Sequence, residues 1–151
     1  MMQPWQPKNP DYITMVADSL SRQPMMATLG ARLSHLAPGE ADLTAPFDRR
    51  FTQQNGFWHA GAVACLADSA NGYAAFSLAP AGSDVLAVEF KINLLAPAQA
   101  AVFLAQGRVV RPGKTLTVCL AEVFGTDGTE RTLIATMLST LIIRQIPKTT
   151  A

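Results

Sequence analysis

The sequence has few of the residues that mark a secreted, disulfide-bonded or metal-binding protein. Its 151 residues include two cysteines, Cys65 and Cys119, which are far apart and form no Cys-x-x-Cys motif. This usage indicates reduced thiols and a cytoplasmic protein. The two histidines are His35 and His59, and no His-Glu-x-x-His spacing occurs. A transition-metal site would lack ligands, so we expect no metal.

Neither positive nor negative charge is in clear excess in the sequence. Lysine and arginine together number 12 and the acidic residues 11, which gives a formal net charge of +1, and Arg49 and Arg50 are the one adjacent basic pair. Such a sequence predicts no extended positive surface for nucleic acid or an anionic membrane. The N-terminus lacks the apolar core of a signal peptide, and no apolar run reaches membrane-spanning length free of polar residues. We expect a soluble cytoplasmic protein.

Hydrophobic residues, in contrast, make up 49% of the chain and charged residues 15%. A chain of this length can bury a core without disulfides or a structural metal. We predict a single domain over residues 1–151, with residues 1–24 as an N-terminal arm and helix. The apolar content exceeds what one small interior needs, so we also expect self-association.

Turn residues and hydrophobic periodicity divide the chain into elements. A short amphipathic helix is predicted to open at Pro10-Asp11 and to stop at Pro24, after which Met25 and Met26 lie at a bend. The remaining predicted elements are a hairpin of strands 31–36 and 41–46, a loop over 47–58, a long Ala-rich helix from His59 to about Leu78, and strands near 86–94, 102–110, 115–124 and 132–144.

The first strand after the long helix shows the clearest alternation. Its apolar residues are predicted to face one way and its polar residues the other. The apolar set is Leu86, Val88, Phe90, Ile92 and Leu94. About six antiparallel strands with one apolar face can be covered by one long helix of small residues. The sequence therefore predicts an α+β hotdog fold, in which an antiparallel sheet of about six strands wraps around one long central helix.

The start of the long helix is the first candidate for chemistry. A helix that begins near His59 directs the free N–H groups of Ala60 and Gly61 toward whatever lies in front of it, and such a terminus favours developing negative charge. Gln53 offers a side-chain amide that can hold a carbonyl oxygen or a water. The alternative for His59 is a capping residue that orients the turn without transferring protons.

Asp68 is the second candidate, because a carboxylate is unexpected in an apolar helix and no Lys or Arg lies within four residues of it. It follows His59 by nine residues, about 13 Å along the helix axis. If two chains pack with these helices antiparallel, Asp68 of one approaches Ala60 of the other, and the dimer is the catalytic unit. The alternative is a carboxylate at the solvated edge of the helix.

Two polar or small positions follow one turn later. Asn71 and Gly72 are candidates for orienting Asp68 or a water, while Gly72 equally suits close packing of the helix on the sheet. At the predicted hairpin tip, Arg111 and Lys114 are either solubility charges or binding groups for the phosphates of a cofactor.

Four segments, QQNGFWHAG, LADSANGYAA, VEFKINLLAPA and RVVRPGKT, together resemble the phenylacetate-degradation (PaaI-type) branch of the hotdog acyl-CoA thioesterases. The likeness runs from about Gly30 onwards. It implies hydrolysis of a thioester between an acyl or aryl-acyl group and coenzyme A, in a homodimer or a dimer of dimers. No cofactor is implied, since coenzyme A is part of the substrate.

The resemblance also implies roles for individual residues. Asp68 takes the place of the general base or nucleophile, the N–H of Ala60 that of the oxyanion donor, Gln53 that of the side-chain amide and His59 that of the motif histidine. Candidates for substrate binding are Gly61, Asn71 and Gly72, with pantetheine along Phe90, Lys91 and Asn93 and the nucleotide phosphates near Arg111 and Lys114.

The chain departs from the family pattern at two positions. Ala60 replaces the first glycine of the usual His-Gly-Gly, which keeps the N–H but adds a methyl, and Gln53 replaces the more common Asn. Two other functions stay open: a non-catalytic acyl-CoA or small-ligand binding protein and, less favoured for want of a second acid-base residue, a hotdog hydratase.

Overall fold

The computed structural model describes residues 5–146, and one antiparallel sheet of six strands dominates it. The strand order is β1-β2-β4-β5-β6-β3. The elements are α1 (Tyr12–Ser21), α2 (Pro24–Leu29), β1 (Arg32–Ala37), β2 (Glu40–Pro46), a 3-10 turn (Arg49–Phe51), α3 (Ala60–Phe76), β3 (Ser83–Leu94), β4 (Val102–Pro112), β5 (Leu116–Thr126) and β6 (Arg131–Gln145).

The sheet wraps around α3, as the sequence predicts. Helix α3 contacts β2, β3, β4, β5 and β6, and its inward side chains form the centre of the core with those of the sheet. Small residues on this helix let the strands approach closely, because alanine extends little beyond the backbone. No helix within residues 5–146 is long and apolar enough to cross a bilayer.

The closest approach of helix and sheet occurs at Gly107 in β4. A Cβ on this residue would lie 2.4 Å from the carbonyl carbon and oxygen of Ala70, and 2.8 Å from the backbone nitrogen of Asn71. These atoms are backbone, so they cannot move aside as a side chain would. The contact places the middle of α3 directly on the middle of the sheet.

Gly107→Ala is therefore expected to lower the free energy of unfolding by about 3 kcal/mol, at the upper end of the usual cost of overpacking. Urea denaturation of the parent and the variant measures the loss. Gly72→Ala is the matched control, because nothing lies within 4 Å of a Cβ at Gly72. If Gly107→Ala is as stable as the parent, α3 does not pack on β4 as closely as the structure shows.

Helix α2 is absent from the sequence prediction, which places a bend after Pro24. Pro24 instead occupies the first turn of α2, where its missing N–H removes no helical hydrogen bond. The helix divides the two methionines, since Met26 is 1% exposed in the core and Met25 is 55% exposed. A proline that ends one helix can begin the next, and the sequence prediction considers only the first effect.

Strand β3 also differs from its prediction at Leu86. The pairing with β6 shifts between Ala87 and Glu89, so Val88 forms a bulge and the alternation changes phase. Phe90 and Ile92 lie beside the buried residues of β6, as predicted, whereas Leu86 pairs with Ile142 on the opposite face. The prediction that all five apolar residues share one face is therefore wrong for Leu86.

As an edge strand, β3 leaves large apolar side chains exposed. Val88 is 57% exposed, Phe90 48% and Leu94 52%. Exposed apolar edges of this length are rare in monomers because they invite pairing with another chain.

Candidate active site

His59 caps the N-terminus of α3. Its backbone is extended (φ −64°, ψ 141°), and its Nδ1 accepts a hydrogen bond from the N–H of Gly61 at 2.8 Å. The Gly61 N–H is thus already bonded, which corrects the expectation that it points freely at a ligand. No group within residues 5–146 accepts a hydrogen bond from the N–H of Ala60, so this donor is available at the tip of the helix.

Gln53 presents a second donor close to Ala60. The loop that carries it is closed by a bridge between Thr52 and Trp58, and the Gln53 N–H donates to the carbonyl of Phe57 at 2.9 Å. The side-chain oxygen of Gln53 accepts from the N–H of Asn55, which fixes the amide group. Its amide NH2 has no acceptor in the described part of the chain and can donate to a ligand.

Both donors line one cavity of about 440 Å³ at the start of α3. The rest of the wall is mainly apolar: Phe57, Trp58, Val63, Leu94, Leu95, Ala96, Pro97, Ala98 and Ile134. Trp58, which is 2% exposed, anchors this wall by stacking on Phe103 with ring centroids 4.3 Å apart and by a 2.9 Å backbone bond to Ala98. Two fixed donors in an apolar cavity suit a carbonyl oxygen that gains negative charge.

Asp68 lies eight residues, about two helical turns, beyond Ala60 in α3 and lines a separate cavity of about 150 Å³. Its Oδ1 is buried and accepts no hydrogen bond from residues 5–146. Burial raises the pKa of Asp68 above its ordinary value, because desolvation disfavours the charged form. A carboxylate that lacks partners and has a raised pKa is a better proton acceptor than an ordinary surface aspartate.

Asp68 and Ala60 do not meet within one chain, because they line different cavities. This is the arrangement that the spacing along the helix predicts. Strand β3 runs from one cavity to the other. Val85 and Ala87 at its start line the cavity of Asp68, and Leu94 at its end lines that of Ala60.

Asn71 lies outside both cavities. It is fully buried, and its side-chain nitrogen donates to the Ser139 hydroxyl at 2.8 Å and to the Met137 carbonyl at 3.4 Å. The side-chain nitrogen of Asn71 thus ties α3 to β6, while its side-chain oxygen is buried and accepts no hydrogen bond from residues 5–146. A role for Asn71 in binding substrate or orienting Asp68 stays a prediction. Gly72, in contrast, lines the cavity of Asp68.

The residues predicted to hold pantetheine lie on both faces of β3. Phe90 is on the helix side, whereas Lys91 and Asn93 pair with the outward-facing Leu138 and Thr136, and the Lys91 ammonium donates to the Asn93 side chain. Neither cavity is lined by these three residues.

Arg111 and Lys114 lie at the opposite end of the molecule from Ala60. Trp58 bonds to Ala98 just before β4, which places the start of α3 at the start of that strand. The far end of β4 bonds to Gly39, which in turn bonds to Ser77 at the end of α3. The two cations at the β4–β5 turn therefore cannot serve the helix start of their own chain.

Several residues that line the two cavities are absent from the sequence prediction. Ser19 and Gln23, from α1 and the link to α2, line the cavity of Asp68 together with Asp84. No local pattern marks them, since they come together only through the packing of the arm against α3. Within residues 5–146, no three His, Cys, Asp or Glu side chains gather as a metal site requires.

These features define a class of protein. It is a hotdog-fold protein that carries two hydrogen-bond donors at the start of its central helix and a poorly solvated carboxylate further along it.

Comparison with known proteins identifies the family. The model of the thioesterase superfamily matches residues 55–132. A Saccharolobus solfataricus protein provisionally named an esterase is 32% identical over 100 residues, which cover 66% of this chain and 71% of the relative. The chain belongs to the thioesterase superfamily, and it is a thioester hydrolase.

Solved structures agree with this assignment. A thioesterase family protein from Silicibacter pomeroyi is 50% identical with a TM-score of 0.87, covering 89% of this chain and 99% of that one. The PaaI protein of the E. coli phenylacetic acid degradation operon is 21% identical with a TM-score of 0.78, covering 87% and 93%, and shows the shared fold.

Proposed function

We propose that this protein is an acyl-CoA thioesterase whose active site is shared between two subunits. The observation that carries the proposal is the separation of Asp68 from the donors of Ala60 and Gln53 along one exposed edge strand. In each subunit, Asp68 lies near the start of this strand, and Ala60 and Gln53 lie near its end. A single chain therefore contains every group that the site requires, but these groups line two different cavities.

Pairing of two β3 strands about a two-fold axis would complete the site. The strand is 12 residues long and is the last in the sheet, so its outer backbone groups have no partner strand within residues 5–146. Antiparallel pairing places the start of one β3 beside the end of the other. The cavity of Asp68 then faces the partner's cavity with Ala60 and Gln53. Burial of the exposed Val88 and Phe90 favours the same contact.

In this site the thioester carbonyl oxygen accepts hydrogen bonds from the Ala60 N–H and the Gln53 amide of one subunit. Asp68 of the other either removes a proton from a water that attacks the carbonyl carbon or attacks it directly. The carbon–sulfur bond then breaks. When Asp68 acts as the base, it passes the proton taken from the water to the departing sulfur. When Asp68 acts as the nucleophile, it forms an anhydride with the acyl group, and a water then hydrolyses this anhydride, restoring the carboxylate and supplying the proton that the thiolate takes up. His59 acts by holding the turn, since its Nδ1 is occupied by the Gly61 N–H.

Two cations at the protein surface support coenzyme A as the thiol portion of the substrate. The two-fold axis brings Arg111 and Lys114 of one subunit to the end of the dimer at which α3 of the other begins, where they can meet the nucleotide phosphates.

Cys65 and Cys119 are free thiols, and we place the protein in the cytoplasm on that ground.

The outward sheet face supports a further contact between dimers. Leu116, Leu120 and Leu138 lie on this face with exposed fractions of 39–51%. Leu120 and Leu138 pair directly across neighbouring strands, which makes the patch continuous. The proposed assembly is a dimer of dimers, and light scattering of the parent distinguishes its mass from that of a single dimer.

Mixing two inactive variants tests the shared site. Asp68→Asn removes the carboxylate and Ala60→Pro removes the oxyanion donor, so each variant alone is expected to release almost no thiol from acyl-CoA. Dimers re-formed from an equal mixture contain intact sites made of Ala60 from one chain and Asp68 from the other. Random assortment is expected to restore about one quarter of the parental activity.

Two results would contradict the proposal. If the mixture stays inactive although mass spectrometry detects the mixed dimer, the two groups belong to separate sites. If the parent releases no thiol from a broad acyl-CoA panel, the substrate is not an acyl-CoA. Re-formation of mixed parental and inactive dimers under the same conditions is the control for subunit exchange.

A further inference from the structure

Gly72 is a helix-destabilising glycine that neither the backbone conformation nor the packing of α3 requires. It lies in the interior of α3, where glycine is among the least stabilising residues. Its φ is not positive, so the backbone does not require glycine. No atom lies within 4 Å of a Cβ built on it, so close packing does not require glycine either. Gly107, at 2.4 Å from Ala70, is the residue that allows the close approach.

The space beside Gly72 belongs to the cavity of Asp68. A methyl group on Gly72 would project into this cavity without touching protein, and it would reduce the room one helical turn beyond the carboxylate. Phe76 and Leu141, which are 6% and 2% exposed, also line the cavity. This buried apolar part of the wall suits the acyl group, because the coenzyme A portion must extend to solvent.

The opposite wall comes from the N-terminal arm. The Gln23 side-chain oxygen accepts a hydrogen bond from the Ser69 hydroxyl at 3.3 Å, and Ser19 lines the same cavity as Tyr73. The hydrogen bond holds the link between α1 and α2 against α3 beside Gly72. The arm therefore forms a wall of the cavity and does more than cover the core.

We propose that Gly72 and Gln23 set the depth of the acyl pocket and so determine which acyl groups the enzyme accepts. This inference rests on the proposed thioesterase function. The cavity has a volume of about 150 Å³. A protein cavity of roughly that volume accommodates benzene. The inferred substrates are acyl-CoA thioesters whose acyl group is short or contains a single ring.

Two substitutions of opposite effect test the proposal on acetyl-, butyryl-, hexanoyl- and benzoyl-CoA. Gly72→Ala is expected to lower kcat/KM for hexanoyl- and benzoyl-CoA by roughly tenfold or more, the usual effect of one methyl-sized change in a pocket. Acetyl-CoA, whose methyl group does not reach Gly72, is expected to change less than twofold. The melting temperature is expected to rise by about 1–3 °C, because alanine is favoured in helices.

Gln23→Ala is expected to act in the other direction by removing part of the wall. It should raise kcat/KM for hexanoyl-CoA relative to acetyl-CoA by about tenfold, and in the double variant it should restore hexanoyl-CoA hydrolysis lost in Gly72→Ala. Gln6→Ala is the matched control, because Gln6 is exposed and lines neither cavity. It is expected to leave the preference among the four substrates unchanged.

The outcomes separate this inference from the proposed function. A parent that hydrolyses acyl-CoA while Gly72→Ala slows all four substrates equally, or none of them, would overturn the inference alone. Loss of the dimer in Gly72→Ala, measured by light scattering, would also overturn it, since Gly72 would then serve contact between subunits. A parent with no activity on any acyl-CoA overturns the proposed function itself.

Discussion

Asp68→Asn is expected to lower kcat/KM for acyl-CoA hydrolysis by about 10²–10⁴-fold, the range typical for loss of a positioned acid-base group. Asparagine keeps the shape of the side chain but can neither accept the proton of water as a base nor attack as a nucleophile. Thiol release measured with a chromogenic disulfide gives the rate. A variant as fast as the parent would remove Asp68 from the mechanism.

The same substitution is expected to stabilise the protein at neutral pH. Burial raises the pKa of Asp68 in the folded protein, so folding favours the protonated form. The cost of burying the carboxylate is absent below its unfolded-state pKa, grows as the pH rises between the two pKa values, and is complete above the folded-state pKa. Melting at pH 7 should therefore show a higher Tm for Asp68→Asn, with little difference at pH 3.

The pH dependence of the parent follows from the same shift. Asp68 must be ionised to act, so kcat/KM falls as the pH decreases through its raised pKa. The acid limb of the profile is expected to lie above pH 3.8, the ordinary value for an aspartate. A profile that stays flat down to pH 4 would contradict the burial of this carboxylate in the working enzyme.

Ala60→Pro is expected to lower kcat by about 10²–10³-fold, the usual effect of removing one oxyanion donor. Proline has no N–H, and the first turn of a helix accepts it without losing a helical hydrogen bond. The preceding His59 already has ψ 141°, the extended conformation that proline requires of its neighbour. The substitution therefore removes the donor and leaves the helix start in place.

Ala60→Gly is the matched control, because glycine retains the N–H and removes only the methyl group. Its kcat is expected to stay within a few-fold of the parent. Circular dichroism and light scattering establish that both variants keep their fold and assembly. If Ala60→Pro and Ala60→Gly have equal rates, the carbonyl is held elsewhere, with the Gln53 amide as the first alternative.

Parts of this protein can be predicted from short stretches of sequence. Pro38 and Gly39 predict the first hairpin, and the spacing of small apolar residues after His59 predicts α3 almost to its ends. In each case the signal is local, because turn chemistry and helical periodicity act over a few residues. Gln53, Ala60 and Asp68 can be identified as candidate site residues in the same way, since a carboxylate or a free hydrogen-bond donor stands out in an apolar stretch of sequence.

Other features depend on contacts between distant segments. The bulge at Val88 is set by pairing with β6 and reverses the face of Leu86, although the alternation in the sequence is unbroken. Asn71 is a polar residue in an apolar helix, and only the fold shows that its side-chain nitrogen bonds to Ser139, 68 residues later. Arg111 and Lys114 are conspicuous cations in the sequence, and only the course of β4 places them far from the helix start.

The helices, the strands and the polar groups along the central helix can be predicted from short stretches of the chain, since they follow from local backbone preferences and from the pattern of apolar residues. The cavity that each polar group lines, the position of the N-terminal arm beside Gly72 and the exposure of β3 as an edge strand follow only from the folded structure. These are consequences of packing, in which free energy depends on surfaces that meet across the whole chain and leave no periodic trace in the sequence.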